Sequence, residues 1–138
     1  MQPTSSRDFQ KAAAQRLLAA EALLRAKLPL DALYIGGYTI ECSLKALILE
    51  LTSVPKRAET LGKISSGAKM HRPDILLGEL RELGAPPLPL ELARRLRTGR
   101  FDWATDLRYE TGRRDTGETT AFLKSAKSIY DWVEAQLP

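Results

Sequence analysis

The stretch from about Leu30 to Leu51 constrains the fold more than any other part of this chain. Leu33, Gly37, Ile40, Leu44, Leu47 and Leu51 recur at intervals of three or four residues, which marks one face of an α-helix. A neighbouring stripe reads Tyr34, Tyr38, Glu41, Lys45 and Ile48, with polar groups mixed into it. A helix that is apolar on nearly every side belongs at the centre of a bundle. Gly36 and Gly37 stand in its middle, where each costs about 1 kcal/mol relative to alanine. Close approach by another backbone, within the subunit or across a dimer, is the expected compensation. No G-x-G-x-x-G or P-loop pattern surrounds the pair, so it is not a phosphate loop.

The remaining segments supply the helices around it. Ser5-Ser6-Arg7-Asp8 offers an N-cap with an acidic residue near the positive end of the dipole. Phe9, Ala13, Leu17, Ala20 and Leu24 follow as one helical face, and Pro29 ends it. Residues 52–72 contain Pro55, Gly62 and Gly67 among Ser and Lys, and read as a long, mobile connection. A third helix is expected from Pro73 or Asp74 to Leu83, ended by Gly84. Pro86, Pro87 and Pro89 introduce a short one, with Pro89 in its first turn. The final helix begins near Thr116 to Glu118 and buries Phe122, Ala126, Ile129, Val133 and Leu137. Strand-like alternation is absent. The expectation is a single all-α domain spanning 1–138, an antiparallel bundle of four long helices near 6–27, 30–51, 73–83 and 117–136. A short extra helix lies around 89–97.

Composition narrows the chemistry. Cys42 is the one cysteine of 138 residues, so no intrachain disulfide forms, which fits a reducing compartment. Its apolar neighbours make it a small core side chain rather than a nucleophile. One Cys and one His cannot build a Cys/His metal site, and neither metal nor cofactor is expected. No apolar run approaches the roughly 20 residues of a membrane span, and the N-terminus lacks the layout of a secretory signal. A cytoplasmic address, away from membranes, is the expectation. The net charge is +4, and its placement matters more than its size. Between Arg94 and Arg114 lie seven arginines (94, 95, 97, 100, 108, 113 and 114) against Asp102, Asp106 and Glu110. That window therefore holds the whole excess. Guanidinium forks suit phosphate; a solvated face with no partner is the competing reading.

Three segments together resemble the HEPN family of helical domains. Gly36-Gly37-Tyr38-Thr39-Ile40-Glu41-Cys42-Ser43-Leu44-Lys45-Ala46-Leu47-Ile48 is similar to its second-helix signature. His71 followed by Leu76, Leu77 and Leu80 resembles its histidine ahead of a leucine-rich third helix. Trp103 with Asp106-Leu107-Arg108-Tyr109 resembles its aromatic region before the last helix. The likeness spans about Phe9 to Trp132. It implies a bundle of four long helices, commonly dimerised, working in nucleotide or RNA transactions. Those include metal-independent RNA cleavage, toxin–antitoxin systems and pairing with a minimal nucleotidyltransferase. The ribonuclease branch carries an arginine followed four to six residues later by histidine. Here the only histidine is His71, and positions 64–66 are Ile64, Ser65 and Ser66. Arg108 and Arg113 have no histidine behind them, so the usual proton carrier near neutral pH is missing from that motif.

Five residues become site candidates. Glu41 and Lys45 are four apart in the favourable order for an ion pair, worth under about 0.5 kcal/mol if exposed. Their apolar neighbours point instead to a buried network with partners such as Arg108 or Tyr109, or to a ligand contact. His71 serves either as a structural or capping group or as a catalytic one beside Arg108. Arg108 and Tyr109 pair a guanidinium for phosphate with a ring that can stack, or anchor their loop. Trp103 and Trp132 read as core. Glu41, Lys45 and Arg108, with His71 and Tyr109, are expected to converge at one end of the bundle, Glu41 lying between the two cations. Three functions follow: a nucleotide- or RNA-interacting module; a divergent metal-independent ribonuclease using His71 and Arg108; or a non-catalytic partner of a nucleotidyltransferase. A symmetric homodimer accompanies each. Whether the chain is an enzyme stays open.

Overall fold

A computed structural model of the chain describes residues 2–97, 107 and 109–138, the side chains of 68, 96 and 97 aside. Every regular element among the described residues is helical. Six α-helices follow in order: α1 (Ser6–Arg25), α2 (Pro29–Leu51), α3 (Arg57–Ile64), α4 (Pro73–Glu82), α5 (Leu90–Arg97) and α6 (Thr116–Glu134). Two 3₁₀ turns, Val54–Lys56 and Ala68–His71, flank α3. Five of the six helices lie where periodicity placed them. The third is the exception, since 52–72 is a turn, a helix and a turn rather than a connection. The expected third long helix, which is α4, has ten residues.

Local chemistry accounts for the ends. Ser5 caps α1 by accepting from the Asp8 amide at 3.1 Å, and the Asp8 carboxylate accepts from the Thr4 amide and hydroxyl. Pro29 starts α2 at a position where its missing N–H is no loss. The far end of α2 has no basic residue in its last turn. Arg57 supplies one from α3, donating to the carbonyls of Thr52 and Glu50 at 3.1 Å each, which satisfies acceptors a helix end leaves open. Asp115 caps α6 through the Gly117 amide.

Packing follows the apolar faces. Central α2 touches α1, α3, α4 and α6, while α5 rests on α6. Ser6 bonds Glu50 and Thr39 bonds the Ala13 carbonyl, so α1 and α2 run antiparallel. Gln10 and Arg7 reach Glu134, which makes α1 antiparallel to α6 as well. The core holds Ile40, Leu44, Leu47 and Ile48 of α2 with Phe9, Leu76, Phe122 and Ile129, and Leu107 joins it. Gly36 sits against this core: an added Cβ would run into Leu123 Cδ2 and lie 3.6 Å from Ala20 Cβ and from a Phe122 ring carbon. The close approach expected there is thus made inside the subunit, and by side chains rather than by another backbone. By length and composition α2 could cross a membrane; 72% of its most apolar stretch is nonetheless buried by the other helices, as in a core helix.

Candidate functional site

The polar stripe of α2 carries the site. Its first members, Tyr34 and Tyr38, meet edge to face, ring centres 5.3 Å apart and hydroxyls 2.9 Å apart. One turn on comes Glu41 and another turn on Lys45, each only 5% exposed. Charged side chains are almost never this deep unless paired, and these two are. The Lys45 ammonium donates to Glu41 Oε2 at 3.0 Å. The other carboxylate oxygen, Oε1, lies 2.9 Å from Nδ1 of His71.

His71 reaches Glu41 because of how its turn is built. Gly67 adopts φ +87, a left-handed conformation that side chains resist. The 3₁₀ turn Ala68–His71 follows, with Met70 packed onto the core. This lays the histidine along the flank of α2 just before Pro73 opens α4. An ionised carboxylate only accepts, so in that state of Glu41 the hydrogen of the contact sits on Nδ1 and Nε2 is the ring nitrogen not used by Glu41. The side chain of His71 is 41% exposed. The result is a half-exposed imidazole gripped by a buried carboxylate, which is itself held by a buried ammonium.

The energetics favour keeping all three groups together. Two donors offset the desolvation of Glu41, and removing one partner of such a buried pair costs about 3–5 kcal/mol. Cys42 adjoins them, its thiol pushed up to about 12 by burial and then by the Glu41 charge, against the weaker opposing pull of Lys45 and Arg16. At neutral pH it is no nucleophile. A neutral imidazole with Nε2 bare can take a proton from a hydroxyl; protonated, it can donate to a phosphate oxygen.

A model described as HEPN domain matches residues 6–136 of the chain. The chain belongs to the HEPN domain family. No curated protein and no solved structure matches it. Within this HEPN domain, three of the five site candidates, Glu41, Lys45 and His71, come together. Tyr109 is 77% exposed. Arg108, like Trp103, lies outside the described residues. Trp132 packs against the core as expected.

One expectation needs correcting. The Glu41 cluster lies along the middle of α2, not at one end of the bundle, because the 65–72 segment returns along the flank of that helix. Of the readings open for His71, a structural hydrogen bond is present, to Glu41, while capping is not, since the N-cap residue of α4, Arg72, makes no side-chain cap bond. The arginine window is partly neutralised by its neighbours: Glu91 lies 3.9–4.0 Å from Arg94 and Arg95, and Glu110 binds Arg114 at 2.8 Å. Sequence reasoning did not foresee Gly67 or Met70 as the residues that set His71 on α2. The positive-φ glycine four residues before a lone histidine was the available signal.

Proposed function

We propose that this HEPN domain interacts with nucleotide or RNA at the outward face of His71, without the arginine-to-histidine ribonuclease motif of the cleaving branch. One observation carries the reading: a buried, charge-paired carboxylate is used to orient a half-exposed imidazole, Nδ1 to Oε1 2.9 Å. A histidine needed only for packing has no use for a half-exposed ring held by a buried carboxylate. Burying an ion pair is a poor source of stability in its own right, and such arrangements concentrate at functional sites. Family membership and the arginine-rich window support phosphate as the ligand chemistry. A homodimer and a cytoplasmic address belong to the same proposal.

The test is binding of a short, fluorescently labelled single-stranded RNA, followed by anisotropy across a salt series. Wild type is expected to bind and to weaken as salt rises, through counterion release. His71→Gln keeps a donor for Glu41 but removes the ring; it should weaken binding by about two- to tenfold, the net scale of one neutral hydrogen bond. Absent or salt-insensitive binding in wild type contradicts the reading.

A second reading, metal-independent cleavage of RNA, is favoured by the lone pair of Nε2, which can accept a proton from a 2′-hydroxyl. Arg108 is then the candidate for stabilising charge on the phosphate. Cleavage in excess chelator that vanishes in His71→Gln would support it, and an intact substrate after prolonged incubation with wild type would exclude it.

A further inference from the structure

We infer that Lys45 is a positioning residue: by holding Glu41 as a carboxylate, it sets the tautomer of His71 and so makes Nε2 a hydrogen-bond acceptor rather than a donor. The functional weight of this inference rests on the His71 reading above; its physical content does not. The three groups form a chain in one direction. Lys45 is a donor only, and its ammonium holds Oε2 at 3.0 Å. That contact lies within a single helix, four residues apart, with both side chains under 10% exposed, so it fixes the rotamer of Glu41. The remaining oxygen, Oε1, then faces Nδ1 at 2.9 Å. With Glu41 ionised, the hydrogen between them must sit on Nδ1, and the lone pair of the neutral ring is on Nε2. A carboxylate used in this way fixes an imidazole's tautomer and orientation in other settings.

Among the described residues, Lys45 is the cation that pairs with Glu41 in a buried contact, and Lys45→Met removes it. Among the described residues, the exposed cations beside the histidine, Lys69 and Arg72, do not replace it: the Arg72 guanidinium is engaged by Asp74 at 2.8 Å, and Lys69 makes no ion pair with Glu41. A buried carboxylate without a compensating charge favours its neutral form. Glu41 would therefore keep one proton taken from solvent and donate a hydrogen bond through it to Nδ1, while Nδ1 loses its hydrogen to solvent and Nε2 gains one, so the ring stays neutral. Nε2 would change from acceptor to donor, with the histidine still beside Glu41. Lys45 thus acts on the surface chemistry of the site through a carboxylate, without touching a ligand.

The chain has a single histidine, so its imidazole gives one set of ring signals and needs no assignment. The experiment is long-range ¹H–¹⁵N correlation on the ¹⁵N-labelled full chain, without RNA, at a pH about two units above the ordinary histidine value of about 6.5. Wild type is expected to show Nδ1 protonated and Nε2 bare. Lys45→Arg should keep that tautomer, while Lys45→Met should show Nε2 protonated as the majority form. Lys45→Gln, which retains an N–H donor but no charge, should flip likewise and stands in if the Met variant does not fold. A wild-type ring protonated on Nε2 overturns the inference, and so do Met or Gln variants that keep the wild-type tautomer or an Arg variant that loses it. Because no ligand is present, failure here leaves the RNA-binding result untouched, and failure to bind RNA leaves this one untouched.

Discussion

Gly36→Ala sets two effects of known size against each other. Alanine is the better helix former, by about 1 kcal/mol in a helix interior. Against it stands the missing space, since the new methyl would run into Leu123 Cδ2 and lie within 3.6 Å of Ala20 and Phe122. Leu123 and Phe122 are 5% and 2% exposed, so neither can swing into solvent, and overpacking of this kind costs about 1–3 kcal/mol. The net expectation is a loss of about 0–2 kcal/mol. Gly78, inside α4, supplies the control, because nothing lies within 4 Å of its added Cβ. Gly78→Ala should gain up to about 1 kcal/mol from the same propensity difference. The gap between the two variants, about 1–3 kcal/mol, isolates the packing at Gly36. Urea denaturation with a common m-value measures both. Trimming the obstacle in Gly36→Ala/Leu123→Ala should make the pair less damaging than the sum of its parts. If Gly36→Ala stabilises as much as Gly78→Ala, the tight contact of α2 with α6 is refuted.

Three further outcomes can be read in simple assays. Cys42, its thiol raised to about 12 by burial, should resist a disulfide reagent at neutral pH in the native protein and react on unfolding; rapid stoichiometric labelling of native protein would contradict this. Hydrogen bonds from Gln10 and then Arg7 hold the Glu134 carboxyl below its ordinary 4.5, so its contribution is full above that value and is lost as pH falls through the folded pKa. Glu134→Gln should therefore be less stable than wild type near pH 6, with the gap closing in acid; an equal gap at both would contradict the sign. Light scattering should give twice the chain mass if the proposed homodimer forms, and a monomer mass at high concentration removes it.

How much of this was legible in the sequence depended on whether the information was local. The faces of α1, α2 and α6 could be read because each buries four or more apolar residues at helical spacing. Helix α3 could not: it buries Ile64 alone, and Gly62 and the flanking Pro55 and Gly67 mimic a loop. It persists for tertiary reasons, with Arg57 closing the end of α2 and Lys63 bonding Glu79 of α4 at 2.9 Å. At the site, the Glu41–Lys45 pair was visible from its spacing and its apolar surroundings. His71 was among the residues expected to converge on that pair, but its bond to Glu41 could not be read, because it is thirty residues away and arrives only through the turn at Gly67. Arg108 was favoured for its charge, its neighbour Tyr109 and the resemblance of that stretch, none of which fixes a distance.

The claim that His71 faces the ligand is tested most directly by watching the one imidazole while RNA is added. Its ring ¹H and ¹⁵N signals should shift progressively and saturate with the same affinity that anisotropy reports, and His71→Gln should lower that affinity. RNA that binds while those ring signals stay where they were would place the site elsewhere and contradict the claim.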